Sequence, residues 1–120
     1  MAKEISLKTH TDSRGNLTVL ENVLPFDIKR IFYIYGVDDS IRGGHRHKKT
    51  LQAAICLQGQ CTIECNNGSE KKVHILNHPG KCLLILPEDY HRMYEFSKDS
   101  ILMVLASTSF DQNDYIFEDY

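Results

Sequence analysis

Short apolar or alternating runs, separated by turn-forming residues, recur along the whole chain and restrict its possible folds more than any other feature. Runs such as LTVLE, IKRIFYIYG and SILMVLAS have the length and alternation of strands, and no long apolar stripe of helical period is present. Between the runs lie DSRGN, GVDDS, NNGSE and NHPGK, which supply the residues that backbone reversals need. The pattern predicts an all-β chain, built as a sandwich, a barrel or a jelly roll.

Two details of this pattern make the prediction more specific. The stretch CTIECNNGSEKKVHIL predicts a hairpin about an Asn-Gly turn.

The runs QAAICL and CLLIL are apolar at both odd and even positions, which is typical of strands covered on both faces. A barrel interior covers one face, and a second sheet, a terminal segment or another subunit must cover the other. In a chain this short we expect a second copy to do so, and therefore predict a homodimer.

Length and charge exclude several classes of protein. A chain of 120 residues fits one compact domain that needs no disulfide or metal to fold, so residues 1–120 are expected to form a single domain. The formal net charge of -2 argues against nucleic-acid binding. The first residues, MAKEISLKTH, lack the apolar core of a signal peptide, and no apolar run is long enough for a membrane span. We expect a cytoplasmic protein.

The 4 cysteines raise the question of a zinc site, because thiolates and histidines are its usual ligands. No CxxC pair occurs, and Cys56 and Cys82 lie inside apolar runs, where a free cysteine behaves as a small hydrophobic residue. Cys61 and Cys65 would share one face of a strand. We expect reduced, structural thiols, as fits a cytoplasmic chain.

The stretch RGGHRHKKTLQ, residues 42–52, points most directly to chemistry. On a strand, His45 and His47 project to one face while Arg46 projects to the other. If that face is the interior, His91 of LPEDYHRMYEF can join them. The three imidazoles could hold a metal ion, transfer protons, or serve as hydrogen-bonded interior residues without chemistry.

These residues resemble the two motifs of the cupin superfamily, whose fold is a jelly-roll β-barrel. The first motif is a glycine-led HxH followed by an acidic residue and a later glycine, and here Gln52 and Gly59 occupy those two positions. The second motif ends in a histidine that corresponds to His91. A cupin metal site would use all three histidines with Gln52, but an amide oxygen is a weaker donor than a carboxylate. Gln52 therefore argues against a metal without excluding it.

The chain resembles more closely the nucleotide-sugar 3,4-ketoisomerases, small RmlC-like cupins that convert a dTDP-4-keto-6-deoxyhexose into its 3-keto isomer. DSRGNL, PFDIKRIFYIYG, RGGHRHKKTLQ, YHRMYEFS and DSILMVLAS carry this resemblance, in the family's order and over nearly the whole chain. Tyr90 departs from it, since we expect tryptophan before His91. The resemblance implies a dTDP-linked 4-keto-6-deoxyhexose as the substrate.

The implied chemistry needs groups that transfer protons. A ketone at C4 acidifies the hydrogen on C3, so moving the carbonyl requires a base, stabilisation of an enediolate and proton return at C4. No redox cofactor is needed, and we expect no metal. Histidine suits the base, because its unperturbed pKa is about 6.5. The resemblance points to His45 as this base, and His47 could act at C4 or move protons between the oxygens.

Other residues are predicted to bind the substrate. Donors to the enediolate oxygen could be Arg42, Tyr33 and Gln52, although Tyr33 could simply pack its ring and Gln52 could simply orient a histidine. The diphosphate calls for arginine and lysine side chains. The resemblance to the Asp-x-Arg-Gly segment of related epimerase cupins favours Arg14 for this role. The remaining predicted substrate-binding residues are Lys48, His91 and Arg92.

Three rival functions stay open. A metal-dependent cupin, either a dioxygenase or a metal isomerase, would use His45, His47 and His91. A 3,5-epimerase would pair its histidine with an aspartate and donate from a tyrosine, and a non-catalytic cupin would only bind a sugar nucleotide. Among ketoisomerases, the SRG near the amino terminus resembles the galacto-forming branch, which serves 3-amino-3,6-dideoxygalactose synthesis. The acidic, aromatic stretch FDQNDYIFEDY is predicted to be an edge segment that packs against the barrel or a partner.

Overall fold

Strands make up almost all of the regular structure in the computed structural model, which describes residues 1–120. One 3₁₀ turn, Gln112–Asp114, precedes the last strand. The all-β prediction is confirmed. In chain order the strands are β1 (Lys3–Ser6), β2 (Lys8–Asp12), β3 (Gly15–Val19), β4 (Arg30–Ile34), β5 (Arg42–His47), β6 (Gln52–Gln58), β7 (Cys61–Asn66), β8 (Lys71–Leu76), β9 (Lys81–Ile85), β10 (Tyr90–Tyr94), β11 (Ile101–Ala106) and β12 (Tyr115–Ile116).

Two antiparallel sheets of five strands face each other across the main core. Their strand orders are β1-β9-β6-β11-β4 and β12-β5-β10-β7-β8. From β4 onwards the chain changes sheet at nearly every connection, which is the jelly-roll arrangement. The hairpin β2–β3 is separate, since its two strands pair only with each other. No helix in the chain has the length and apolar character that a membrane crossing requires.

The first sheet is covered on both faces, as the runs QAAICL and CLLIL predict. Ala54 and Cys56 of β6 face the main core between the sheets, whereas Ala53 and Ile55 face a second apolar cluster on the outer side. The outer cluster is covered by the same chain. Its covering residues, which precede β4, are Leu7, Leu20, Leu24 and Phe26. This face therefore does not require a second subunit, and the homodimer stays a prediction on other grounds.

The predicted hairpin and the structural cysteines are both observed. Strands β7 and β8 pair antiparallel from Cys61 opposite Leu76 to Asn66 opposite Lys71. All of the cysteines are free and buried. Burial raises the pKa of Cys65 to about 12 and that of Cys82 to about 11, so these thiols stay protonated at neutral pH.

Candidate active site

Two adjacent glycines shape the strand that carries the histidine pair. Gly43 and Gly44 have φ angles of +82° and +77°, which glycine adopts at low cost. A β-carbon at Gly43 would lie 2.8 Å from the backbone oxygen of His91. The pairing of β5 with β10 shifts here, with His91 opposite His45 and Arg92 opposite Gly43. This bulge permits the close approach that puts His91 beside His45.

Three imidazoles meet inside the fold, as the sequence predicts. The ring centroid of His45 lies 4.7 Å from that of His91 and 5.0 Å from that of His47, and the rings of His47 and His91 are 6.0 Å apart. His47 and His91 are buried, whereas His45 is half-buried. His45 is therefore the histidine of this cluster that is most accessible to a ligand.

A pocket opens beside this cluster and has both polar and apolar walls. Arg42 is exposed at its edge. Gln52 is buried, and its side-chain oxygen has no hydrogen-bond partner, so this oxygen can accept a hydrogen bond from a ligand. The structure thus places Arg42, Gln52, His45 and His91 around one pocket. The complete lining is Phe32, Ile34, Arg42, Gly43, His45, Gln52, His91, Met93 and Tyr115.

Asp114 contacts the cluster from the 3₁₀ turn before β12. Its Oδ2 accepts hydrogen bonds from His47 Nδ1 at 2.9 Å and from the hydroxyl of Thr50, and its Oδ1 accepts one from the backbone N–H of Lys49 at 2.9 Å. Burial raises the pKa of the Asp114 carboxyl, but the hydrogen bonds outweigh this effect and the net pKa is lowered. The carboxylate is therefore ionised at neutral pH.

The C-terminal strand β12 adds an aromatic wall to the site. Tyr115 pairs with His47 along the backbone, and its ring centroid lies 4.5 Å from that of His45. The ring of Phe117 stacks on that of Tyr115, with the ring centroids 6.0 Å apart. The sequence of this segment predicts an edge that packs against the barrel or a partner, and it indicates no function. Asp114 and Tyr115 therefore contact the cluster although they are not among the residues predicted from the sequence, and their only signal is the stretch FDQNDYIFEDY, which contains β12.

Burial keeps the three histidines neutral. It lowers the pKa of His45 to about 4, with a further contribution from His47. It lowers the pKa of His91 to about 3, with His45 contributing in the same direction. Burial also lowers the pKa of His47, against the opposing effect of Asp114. At neutral pH each imidazole therefore has a lone pair that can accept a proton.

Tyr33, which is predicted to donate to the enediolate oxygen, does not line this pocket of its own chain. Side chains alternate along β4, so Phe32 and Ile34 face the pocket while Tyr33 faces outward. Tyr33 is 63% exposed, and its ring stacks on that of Tyr35 at 5.9 Å.

Arg92, which is predicted to bind the substrate, does not line the pocket either. It follows the inward-facing His91 on β10 and therefore projects from the outer face of the second sheet. There its Nε lies 3.8 Å from Glu64 Oε2, and its Nη2 lies 3.7 Å from Asp119 Oδ2. Its charge is directed at these acidic side chains and not at the pocket.

Arg14 and Lys48 also lie outside the pocket of their own chain. Arg14 occupies the turn between β2 and β3, where it forms a 2.7 Å ion pair with Asp12 and its side chain is 89% exposed. Lys48 is exposed in the turn that follows β5. Neither side chain lines the pocket.

Arg30 is a further arginine near the site and is not among the residues predicted from the sequence. It shares the inner side of β4 with Phe32, and its guanidinium carbon lies 5.5 Å from the Phe32 ring centroid and 5.6 Å from that of Phe110. Its Nε is buried and has no hydrogen-bond partner. An unpartnered guanidinium beside a pocket is suited to an anionic ligand.

The arrangement of the histidines also suits a divalent cation. One ring nitrogen from each of His45, His47 and His91 lies within 4.8 Å of the others. Imidazole nitrogens are common ligands of zinc, iron and nickel. The cluster can therefore support two kinds of chemistry, proton transfer and metal binding.

The two facing sheets, their crossing connections and the interior histidine cluster define a protein of the cupin class. The rmlC epimerase of Mycobacterium tuberculosis has this fold: its structure matches 95% of this chain and 66% of its own with a TM-score of 0.82. Its sequence identity is only 17%, so this likeness shows the fold alone.

More similar proteins define the family within this class. The family model described as FdtA, WxcM-like, C-terminal, matches residues 2–120. A TDP-4-oxo-6-deoxy-α-D-glucose-3,4-oxoisomerase from Aneurinibacillus thermoaerophilus is 39% identical over 117 residues, which are 95% of this chain and 84% of the relative. A mutant of the 3,4-ketoisomerase QdtA from Thermoanaerobacterium thermosaccharolyticum, solved with TDP-4-keto-6-deoxyglucose, matches with a TM-score of 0.93 at 40% identity, covering 98% and 87% of the two chains. The chain belongs to this family of sugar-nucleotide 3,4-ketoisomerases.

Proposed function

We propose that this protein isomerises TDP-4-keto-6-deoxyglucose to a TDP-3-keto-6-deoxyhexose. The observation that carries the proposal is the cluster of three neutral imidazoles at a pocket, in a chain 39% identical to a 3,4-oxoisomerase. The solved relative that matches 98% of the chain holds TDP-4-keto-6-deoxyglucose, which supports the same substrate here.

The reaction oxidises C3 and reduces C4 of the same sugar, so it needs no external oxidant or reductant and can proceed by proton transfers alone. A base removes the hydrogen of C3 as a proton, and the electron pair forms a C3–C4 double bond with the negative charge on O4. The hydroxyl proton then passes from O3 to O4. Finally C4 takes up a proton, the double bond electrons shift, and C3 becomes the carbonyl carbon. A neutral histidine can act as the base, because its conjugate acid can return the proton to C4.

His45 fits the role of this base better than His47 does. His45 lines the pocket and is half-buried, so a sugar can reach it. His47 lies deeper, is buried, and already uses Nδ1 in the contact with Asp114. General-base catalysis requires hydrogen-bond reach to the proton removed. We therefore assign the C3 proton to His45 and the protons of the sugar oxygens to His47, because a ring nitrogen of His47 lies within 4.8 Å of a ring nitrogen of His45 and so near a sugar that contacts His45.

Three polar side chains can stabilise the enediolate and bind the diphosphate. Arg42 and Gln52 line the pocket, and the guanidinium of the one and the amide NH₂ of the other can donate to the developing oxyanion. Arg30, on the inner side of β4, adds a positive charge that can pair with a phosphate. With Tyr33 and Arg92 facing outward, Arg30 and Arg42 are the best-placed cations within one chain.

The homodimer remains part of the proposal and would bring Arg14 into use. The edge strand β4 presents exposed apolar side chains, including Ile31 and Tyr33, on its outer face. The hairpin β2–β3 has no strand partner outside itself. Both are features that a second copy can cover. We propose that Arg14 binds the diphosphate in the pocket of the partner subunit.

Two further features are proposed on sequence grounds. The SRG segment at Arg14 favours a galacto product over a gluco product, since it resembles the galacto-forming branch. A cytoplasmic location is supported by free, buried cysteines, which suit a reducing compartment.

The experiment that tests the function uses the purified protein, treated with EDTA, and TDP-4-keto-6-deoxyglucose in deuterated water. NMR of C3 and C4 should show a 3-keto sugar, with solvent deuterium or transferred hydrogen at C4, and should reveal the C4 configuration. A His45→Asn variant that is folded and binds TDP should give no product. An unchanged substrate with the wild-type protein, at intact TDP binding, would mean that the site binds sugar nucleotides without isomerising them.

One observation favours a second candidate, a metal-dependent cupin: the three histidine nitrogens lie within 4.8 Å of one another. Gln52 would then add an amide oxygen, a neutral and weaker donor. Metal analysis of the untreated protein, together with activity before and after EDTA treatment, separates the candidates. Activity that depends on a stoichiometric metal ion would replace the proton-transfer mechanism.

A further inference from the structure

A series of hydrogen bonds runs from the half-buried Thr108 to the histidine cluster and has a defined direction. Asp114 Oδ2 accepts from both His47 Nδ1 and the hydroxyl of Thr50. The hydroxyls of Thr50 and Thr108 lie 2.7 Å apart. Because Thr50 donates its single hydrogen to the carboxylate, Thr108 must donate to Thr50. Every donor in this series of hydrogen bonds therefore points toward Asp114.

The carboxylate is also held in position by the backbone. Its Oδ1 accepts from the N–H of Lys49 at 2.9 Å, and its own carbonyl oxygen accepts from the N–H of Lys48 at 2.9 Å. The Asp114 side chain is 3% exposed, and that of His47 is 1% exposed. The pair is thus fixed on both sides and shielded from water, where a hydrogen bond to an ionised acceptor is strong.

This geometry selects one tautomer of His47. A carboxylate only accepts hydrogen bonds, so Nδ1 must carry the hydrogen. The lone pair is then on Nε2, which is buried and has no hydrogen-bond partner within the protein. The other two histidines lack such a partner: His91 Nδ1 bonds only a backbone carbonyl, that of Asp89 at 3.2 Å. His47 is the one imidazole of the cluster whose positive form would be stabilised by a carboxylate.

We infer that Asp114 is a positioning residue of the isomerase, which holds His47 as the Nδ1–H tautomer so that Nε2 can carry the proton between the substrate oxygens. This inference rests on the proposed function. In the step, the Nε2 lone pair takes the hydroxyl proton from O3, and the same proton is passed to the negatively charged O4. The imidazolium exists only between the two transfers, and Asp114 stays ionised throughout.

The test compares Asp114→Asn with the wild-type protein in two measurements. The first is nitrogen-15 NMR of the histidine rings, with His47 assigned from a His47→Gln spectrum. In the wild type we expect a protonated Nδ1 and a lone pair on Nε2. In the variant, the amide NH₂ can donate to Nδ1, which favours the opposite tautomer. A wild-type His47 that carries its proton on Nε2 would overturn the inference without any variant.

The second measurement is steady-state kinetics with TDP-4-keto-6-deoxyglucose. Asp114→Asn should lower kcat by about 100-fold or more while KM changes by less than about threefold, since the tautomer matters for proton transfer and not for binding. Thr50→Val is the matched control: it removes one donor to the carboxylate but keeps the contact with His47. We expect an unchanged tautomer and a kcat reduced by less than about fivefold.

The inference stands only if tautomer and kcat change together in Asp114→Asn. A variant that changes tautomer but keeps its kcat, or loses kcat with its tautomer unchanged, contradicts it. Melting temperature and TDP affinity show whether the variant is folded. If the wild-type protein has no isomerase activity, the proposed function fails, whereas the NMR measurement still decides which nitrogen of His47 is protonated.

Discussion

The strands that carry the histidines and the hairpin that carries Arg14 are built in opposite ways. Strands β5, β10 and β12 are adjacent in one sheet and place buried, hydrogen-bonded side chains around the pocket. The hairpin β2–β3 pairs only with itself, and most of its residues are exposed. The histidines therefore lie at a pocket of their own chain, whereas the charge of Arg14 is exposed on the surface, away from that pocket.

The largest effect is expected inside the buried region. His45→Asn removes the only imidazole that both lines the pocket and is accessible, so no base remains within reach of C3. We expect kcat to fall by about 1,000-fold or more, with TDP affinity changed by less than about threefold. Steady-state kinetics and titration calorimetry measure the two quantities. A variant that retains a tenth of the activity would indicate that His47, and not His45, is the base.

The hairpin is tested by Arg14→Ala. The loss of one diphosphate contact should raise KM about tenfold and leave kcat within about twofold, because the contact is the same in substrate and transition state. A KM that does not change would mean that Arg14 makes no contact with the nucleotide.

A mixing experiment shows whether Arg14 acts between subunits. Arg14→Ala and His45→Asn chains are unfolded together and refolded as a mixture. If each site takes Arg14 from one chain and His45 from the other, half of the dimers are mixed and each has one intact site, which gives about a quarter of wild-type kcat/KM. If Arg14 acts within its own chain, the mixed dimers contain no intact site, and only the summed activity of the separate variants is seen.

Acid should destabilise the buried region and not the hairpin. The pKa of His91 is lowered from 6.5 to about 3 by burial, so the unfolded chain binds a proton at a higher pH than the folded one. Neutral His91 therefore costs the folded state nothing above pH 6.5, and the free energy of unfolding decreases as the pH falls from 6.5 toward 3. The free energy of urea-induced unfolding should be lower at pH 5 than at pH 7.

Two variants make this comparison specific. His91→Gln should reduce the pH dependence of unfolding without abolishing it, because His91 no longer titrates while His45 and His47, whose pKa values burial also lowers, remain. His10→Gln, on the exposed face of the hairpin, should leave the dependence unchanged. An equal effect from both variants would mean that burial of the cluster is not the cause.

The smallest effect is expected for the outward-facing side chains. Arg92→Ala removes contacts with Glu64 and Asp119 on the surface, where ion pairs of this length contribute little. We expect kcat and KM within about twofold of wild type. A large rise in KM would show that a ligand or second subunit reaches the outer face of β10.

Local patterns predicted the parts of the molecule that depend on neighbours along the chain. The alternation in RGGHRHK places His45 and His47 on one face, and the Asn-Gly turn predicts the β7–β8 hairpin. The same alternation along β4 separates Phe32 from Tyr33, but it does not say which of the two faces the pocket and which faces the surface. The period of a strand is visible in a sequence, but which of its two faces is inside is decided by the strands that pair with it.

Long-range pairing explains what the sequence did not reveal. Strand β1 is short and polar, and it is a strand because it pairs with β9, from Lys3 opposite Leu84 to Ser6 opposite Lys81. Asp114 reaches His47 because β12 pairs with β5, although 67 positions separate the two residues. Nothing in the residues around Asp114 indicates that partner.

The bulge at Gly43 has a consequence for how the protein tolerates mutation. Any side chain at this position would collide with the backbone of β10 and push apart the two strands that carry His45 and His91. In a library of all single substitutions selected for isomerase activity, position 43 should therefore be as intolerant as the histidines themselves. The residue with the least chemistry of its own would rank among the most indispensable.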